Sequence, residues 1–162
     1  MSMANGAKYE RKYLAHFIDD SFGGTVNYSR LGKDLEEYKI ELNPDVETKK
    51  NILGESTTTV KGYSPQGTVE TYFARKGDAL FTHLVDVVNE RATGAELETT
   101  VVDVLLDSEG TVESAYQEKV VVVPSSLGGG TDGVQIPFEV HYVGDRVAGT
   151  FDTSTRTFTP AS

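Results

Sequence analysis

The histidines are the residues of this chain best suited to acid–base chemistry, because the imidazole ring titrates near neutral pH. There are three, His16, His83 and His141, and they fall in three different predicted elements. The sequence contains no His-Glu-x-x-His, Gly-x-Ser-x-Gly or Walker-type glycine motif, the marks of metalloproteases, serine hydrolases and nucleotide-binding enzymes. We therefore expect each histidine to be a surface or packed residue, and we predict no catalytic residue.

Two acidic clusters offer oxygen ligands of the kind that calcium prefers. They are Asp19-Asp20 and Asp107-Ser108-Glu109-Gly110, and neither has the ligand spacing of a dedicated calcium loop. The glycines Gly128-Gly129-Gly130 lead into a predicted strand rather than a helix, so they are not placed to cradle phosphate. Turn and loop structure explains all three segments, and we predict no bound metal and no cofactor.

Composition and charge exclude further classes of function. The 162 residues suffice for one domain with a hydrophobic core, spanning 1–162, and the absence of cysteine excludes thiolate catalysis and disulfides. The net charge of −10 argues against binding nucleic acid through its phosphates, which needs clustered Lys and Arg. No segment approaches the roughly 18 apolar residues of a spanning helix, so we expect no membrane partner. A binding or structural role is favoured over an enzyme.

One segment has the pattern of an amphipathic helix. Asp78 follows Gly77 and is a good N-cap, because its carboxylate can accept an unpaired backbone N–H of the first turn. Gly94 suits the left-handed position that ends a helix. We predict a helix over 78–92, whose apolar stripe is formed by Leu80, Phe81, Leu84, Val85, Val88 and Ala92.

The rest of the chain is predicted to form strands. Residues 134–143 alternate between apolar and polar positions, although Pro137 must face an edge or a bulge because it has no backbone N–H. Strands with a single helix indicate a mainly β fold, an antiparallel β-sandwich or partial barrel with the helix at its side. The predicted strands are 13–18, 25–29, 36–43, 47–53, 57–63, 67–75, 98–106, 111–123, 134–143, 146–151 and 155–159.

A long polar hairpin arm is the least usual feature of this pattern. Residues 45–61 connect two strand-like runs and are rich in charged and hydroxyl side chains, so they bury little apolar surface against their own domain. Connections longer than about 12–15 residues are usually functional or disordered. We expect the arm to protrude and to dock on another subunit. Residues 1–12 are polar and are expected to form a flexible N-terminal arm.

Most of the chain resembles the tail tube, or major tail, proteins of tailed bacteriophages. The resemblance covers roughly residues 34–152. Two runs carry it: ELNPDVETKKNILGESTTTVKGYSPQGTVETYFARKGDALFTHLVDVVNERATG and QIPFEVHYVGDRVAGTFD. Within these runs several features follow one another in order: strand, arm, Gly-Tyr-Ser-Pro turn, helix and closing hairpin. No single feature would be sufficient to indicate the family.

The resemblance implies a non-enzymatic virion protein, located in the tail and assembled in the cytoplasm of the bacterial host. Six copies would form a ring around a continuous β-barrel, and rings would stack into a tube that delivers DNA without binding it specifically. The implied partners are further copies, the tape measure protein, the tail terminator and the distal tail or baseplate proteins. Contacts between subunits or rings would involve the charged arm residues Asp45, Glu47, Lys49, Lys50, Glu55 and Lys61.

Four carboxylates outside the arm are candidates for the wall of that tube. An acidic lumen would repel the phosphates of passing DNA, mainly within the Debye length of about 8 Å. The other interpretation is that these carboxylates belong to the solvated face of a sheet. The sequence does not distinguish between the two interpretations. The candidate lumen residues are Glu37, Glu41, Glu70 and Glu139.

Two other functions fit the sequence. The chain could form the inner tube of a contractile tail or of a tail-derived injection device, which shares the tail tube fold. It could also be a monomeric β-sandwich that decorates a virion or binds a ligand. The second alternative predicts an exposed aromatic patch, whereas the tyrosines here fall mostly in strand or turn positions.

Overall fold

The computed structural model describes residues 3–32, 35 and 37–161. It contains one α-helix, α1, at Ala79–Glu90, and short 3-10 turns at Arg11–Tyr13 and Gly94–Leu97. The strands are β1 Leu14–Asp19, β2 Tyr28–Leu31, β3 Ile40–Glu41, β4 Asp45–Lys50, β5 Ser56–Gly62, β6 Gln66–Val69, β7 Glu98–Leu106, β8 Val112–Pro124, β9 Phe138–Tyr142, β10 Val147–Asp152 and β11 Thr157–Pro160.

Nine strands form one antiparallel sheet in the order β2-β1-β7-β8-β9-β6-β3, with β10 and β11 branching from β8. The branch exists because β8 is 13 residues long and has two neighbours on the same edge. Its first half pairs with β10 and its second half pairs with β9. The sheet therefore curls into a half-barrel, which confirms the predicted mainly β partial barrel with one helix.

The two faces of the curled sheet each cover a hydrophobic core. On one face α1 packs through Leu80 and Leu84 against the central strands and β9. On the other face the β10–β11 hairpin brings Phe151 against Phe17, with ring centroids 4.6 Å apart. Because both faces are covered there, residues 101–104 of β7 are all buried, as expected for a strand enclosed on both sides.

Helix α1 begins as the sequence predicts and ends differently. The Asp78 carboxylate accepts the N–H of Leu80 at 3.0 Å, so it is the N-cap. Arg91, with φ of 54°, takes the left-handed position at the C-terminus, and the N–H of Ala92 bonds to the carbonyl of Val87 at 3.1 Å. The prediction that Gly94 ends the helix is therefore wrong. Gly94 begins the following 3-10 turn instead.

Several strands are shorter than their patterns predict. The segment 134–143 becomes regular only at Phe138, directly after Pro137, because proline cannot donate a ladder hydrogen bond. The end of the predicted strand 67–75 makes one isolated bridge to the irregular part of segment 134–143, between Phe73 and Gln135. Only Ile40 and Glu41 of the predicted strand 36–43 form β3. The predicted start of that strand, Glu36, lies outside the described residues.

The N-terminal segment makes hydrogen bonds to the body of the protein. The Tyr9 hydroxyl donates to the Glu113 carboxylate at 2.8 Å, and the Arg11 guanidinium donates to the carbonyl of Tyr38 at 2.7 Å. Residues 1 and 2 are not among those described. The flexibility expected of residues 1–12 in the isolated chain stays a prediction.

Strand β6 passes so close to Tyr38 that only glycine fits at position 67. A β-carbon there would overlap the Tyr38 hydroxyl and ring, and Tyr38 is buried and hydrogen-bonded to Tyr142. We predict that Gly67→Ala lowers the free energy of unfolding by about 1–3 kcal/mol, the usual cost of overpacking. Urea unfolding measures this change. The matched control is Gly62→Ala in β5, where a β-carbon has open space; equal losses for the two variants would contradict the prediction.

Candidate assembly surfaces

The arm is a two-stranded sheet of its own, hydrogen-bonded within itself rather than to the main sheet. Strands β4 and β5 pair from Asp45 with Gly62 to Lys50 with Ser56, with one irregularity after Asp45. Asn51 closes the turn, because its side-chain oxygen accepts the N–H groups of Leu53 at 2.9 Å and Glu55 at 3.0 Å. The predicted protruding hairpin is therefore a defined structure, although nearly all of its side chains are exposed.

The two faces of the arm differ in charge. On one face the Glu47 carboxylate pairs with Lys61 at 2.5 Å and with Lys49 at 3.6 Å. Three of the six charged residues predicted to contact other subunits are therefore paired within the arm. Among the described residues, the structure gives the side chains of Asp45 and Lys50 no ion-pair partner, while the Glu55 carboxylate accepts from Asn51 at 3.4 Å. Their contacts with other subunits stay a prediction.

The tip of the arm is apolar, and the face without Glu47 carries one apolar pair near the base of the arm; the sequence interpretation missed both. Ile52 is fully exposed and Leu53 is 77% exposed, and they occupy the turn itself. Val46 lies directly opposite Val60 on the face without Glu47, and both are about half exposed. The signal was present, since Ile52-Leu53 is the only adjacent apolar pair between residues 43 and 61.

The sheet also has free edges. Among the described residues, β2 and β3 end the main strand order, and β11 pairs only with β10. An outer strand presents unpaired N–H and C=O groups, which are a template for pairing with another chain. The body therefore offers main-chain hydrogen bonds to a neighbour in addition to the contacts of its arm.

The face of the sheet beside the β10–β11 hairpin is open and mixed in charge. Direct register aligns one row of side chains across five strands: Glu41, Gln66, His141, Val121 and Glu98. In the row on one side Glu139 accepts from the Gln66 amide at 3.1 Å, and in the row on the other side Lys119 pairs with Glu98 at 2.8 Å.

The four predicted lumen carboxylates do not form one cluster. Register places Glu41 and Glu139 on this open face. Glu37 is exposed and pairs with Lys39 at 3.5 Å, and Glu70 is exposed directly after β6. Whether any of them lines a channel stays a prediction.

The three histidines lie apart. His83 stacks on Phe22, with ring centroids 3.8 Å apart, and its Nε2 lies 2.7 Å from the carbonyl oxygen of Glu96. His141 lies on the open face, 3.7 Å from Glu139. His16 is buried, with Nδ1 2.7 Å from Asp103 and Nε2 3.1 Å from the Arg11 guanidinium.

The pair of His16 and Asp103 belongs to a buried polar network. A histidine that activates a nucleophile needs a free second ring nitrogen facing a hydroxyl or thiol. Here Arg11 occupies that position, and no cysteine exists in the chain. Across the described part of the chain, every buried side-chain nitrogen and oxygen atom has a hydrogen-bond partner, and no group of residues is arranged to hold a metal ion.

The network is centred on Arg146, which bridges two buried carboxylates. Its guanidinium donates to Asp103 at 3.1 Å and to Glu118 at 3.3 Å. Tyr142 donates to Asp103 at 3.4 Å and also shares a hydrogen bond with Tyr38 at 3.1 Å. Burial raises the pKa of both tyrosines above the usual value, so they stay protonated donors at neutral pH. Burial also raises the pKa of Glu118, and Arg146 opposes that shift.

Comparison with known proteins gives structural likenesses only. No protein-family model and no curated protein matches the sequence. The fold is similar to the tube-terminating cap of the anti-feeding prophage, with a TM-score of 0.56, 11% identity, and coverage of 91% of this chain and 95% of the cap. It is also similar to the sheath/tube terminator of the PVC extracellular contractile injection system, with a TM-score of 0.57, 11% identity, and coverage of 91% and 100%.

A third likeness is to a chain in the anti-feeding prophage baseplate, with a TM-score of 0.50, 15% identity, and coverage of 90% and 97%. All three comparisons cover nearly the whole of both chains. At these identities they establish that this chain has the fold of tail-tube terminators and related tail components. Among the described residues, no helix is long and apolar enough to cross a membrane.

We predict that Arg146→Ala destabilises the protein by about 3–5 kcal/mol at pH 7, because it leaves Asp103 and Glu118 buried without their cation. The loss should be smaller at pH 5. Without Arg146 the pKa of Glu118 in the folded state rises further. Between the pKa values of the unfolded and the folded state, the folded protein holds a proton that the unfolded chain has lost, so the free energy of unfolding falls as the pH rises. Urea unfolding at both pH values tests this.

The control for Arg146→Ala is Lys39→Ala, which removes an exposed ion pair with Glu37. We expect a change below about 0.5 kcal/mol for that variant at either pH. A loss for Arg146→Ala that is the same at both pH values would contradict a role in compensating the buried carboxylates.

Proposed function

We propose that this chain is a structural protein of a phage tail or tail-like particle whose copies form hexameric rings that stack into the tail tube. The exposed arm with its bare apolar tip is the observation that carries the proposal. Exposed apolar side chains at an ordered turn mark a surface that another molecule covers. The fold shared with tube terminators and a baseplate chain supports a place in such a particle.

The free strand edges support ring closure. A β2 or β11 edge that pairs with an edge of the next copy would satisfy its unpaired backbone groups, and repeated pairing around an axis closes a ring without exposed edges. The expected number of six copies per ring comes from the resemblance of the sequence to tail tube proteins. The tape measure protein, the terminator and the distal tail or baseplate proteins are the partners expected inside and at the ends of such a tube.

The main alternative is a terminator, a ring that caps the tube rather than extending it. The two structural neighbours with the higher TM-scores are described as a tube-terminating cap and a sheath/tube terminator. A terminator forms a discrete ring alone, whereas a tube protein forms rods of variable length. Because those neighbours come from contractile injection systems, the inner tube of a contractile particle is included in the tube proposal.

We expect shortening of the arm to abolish stacking without unfolding the body. The variant replaces residues 48–58 by the two-residue turn Asn-Gly, which suits a tight hairpin. The body should keep its circular dichroism and its melting temperature, because these arm residues are exposed. Negative-stain microscopy of concentrated protein should show rods for the natural chain and none for the variant. Normal rods from the shortened variant would refute the role of the arm.

We also expect the open face to keep DNA from adhering to assembled rods. The double variant Glu41→Gln/Glu139→Gln removes two carboxylates from that face, and rods of it should retain more short duplex DNA on co-sedimentation at low salt. The control is Asp86→Asn/Glu90→Gln, which removes two exposed carboxylates from α1. Equal DNA retention by both double variants would count against a lumen role for this face.

A further inference from the structure

An apolar groove lies at the root of the arm, at the end of the hairpin away from its apolar tip. Backbone bonds from Ser64 to the carbonyl of Leu42 and from Tyr142 to that of Pro65 bring the segments around these residues together. They enclose a groove of about 450 Å³. Leu42, Tyr63 and Val143 line it and are 52%, 60% and 57% exposed. Contiguous exposed apolar residues of this kind mark a contact surface.

The charged residues that line the groove are Arg146 and Glu118, which pair with each other, and exposed carboxylates lie next to the groove residues in the sequence. Glu41 precedes Leu42, Asp45 begins the arm, and Asp145 follows the groove residue Gly144; all three are exposed. Asp145 lies near enough to the floor of the groove to raise the pKa of Glu118. At the tip, Lys50 directly precedes the turn and, among the described residues, has no ion-pair partner.

The tip does not reach the groove of its own molecule. Strand β4 is six residues long, so at about 3.3 Å per residue the tip lies roughly 20 Å from the root of the arm. The hydrogen bonds between β4 and β5, and the Asn51 turn, keep the arm extended. An arm tip that enters this groove must therefore belong to another molecule.

We propose that Ile52 and Leu53 of one copy insert into the groove formed by Leu42, Tyr63 and Val143 of a second copy, with Lys50 of the first copy against Asp145 of the second. This inference rests on the proposed assembly of copies and names the contact that joins them. The two halves differ, so the contact is heterologous, and each copy can receive one neighbour while it binds another.

A second copy fits this groove better than an unrelated partner because one chain carries both complementary surfaces. The tip is apolar and has Lys50 beside it, and the groove is apolar and has Asp145 beside it in the sequence. Complementary charge of this kind fixes orientation and register even where it adds little affinity.

Engineered cysteines test the contact directly, because the natural chain has none. The double variant Leu53→Cys/Val143→Cys should form a ladder of disulfide-linked oligomers when assembled protein is oxidised, since each copy would join two neighbours. The matched control, Leu53→Cys/Asn89→Cys, puts the second thiol at an exposed position of α1. It should give at most linked dimers. A ladder from both variants, or from neither in assembled protein, would overturn the inference.

Charge reversal provides a second, independent test of the contact. Lys50→Glu and Asp145→Lys should each raise the critical concentration for assembly, by up to about fivefold for a solvent-exposed pair. The combined variant should return it to that of the natural chain. Ile52→Asp/Leu53→Asp should raise it by about tenfold or more. No rescue in the combined variant, or unchanged assembly of Ile52→Asp/Leu53→Asp, would overturn the contact.

The outcomes also separate this inference from the proposed function. Rods that form without a specific ladder refute the contact and leave the tube proposal standing. A specific ladder with only short, soluble oligomers supports the contact and refutes the tube. A natural chain that stays monomeric at every concentration refutes both.

Discussion

The shape of this protein depends on the hydrogen bonding of one long strand. Strand β8 pairs with β7 along most of its length, while its other edge is divided between β10 and β9. Strand β9 continues the sheet toward β6 and β3, whereas β10 and its partner β11 pack over the second core. The sheet therefore curls, and both of its faces acquire a core, one under α1 and one under the β10–β11 hairpin.

The buried polar network lies where that edge divides. Pairing with β10 stops at Gln117 and pairing with β9 starts at Val120, so Glu118 and Lys119 lie between them. The connection from β9 to β10 crosses here, and Gly144 passes so close that a β-carbon would lie 2.8 Å from that of Lys119. Arg146 follows at once and bonds to both Glu118 and Asp103. Its charge compensates two carboxylates that the curl of the sheet buries.

Local pattern was sufficient to predict some elements and insufficient for others. Strand β7 has the predicted limits 98–106, because five of its nine residues are β-branched and such residues favour a strand. The helix followed from its apolar stripe and the Asp78 cap. The network could not be predicted, because His16 and Asp103 are 87 residues apart and only the register of β1 with β7 brings them together. The groove depends likewise on Leu42 and Val143 becoming neighbours.

The arm links this architecture to its proposed function. Among the described residues, the buried side-chain polar atoms of the body have partners within one copy, and the body encloses two cores. Of the fourteen large hydrophobic side chains that are exposed among the described residues, seven lie on the arm or at its root, and the arm is ordered by its own hydrogen bonds. On the proposed contact, a chain that carries both the tip and the groove is suited to join copy to copy, in a closed ring or in an open series.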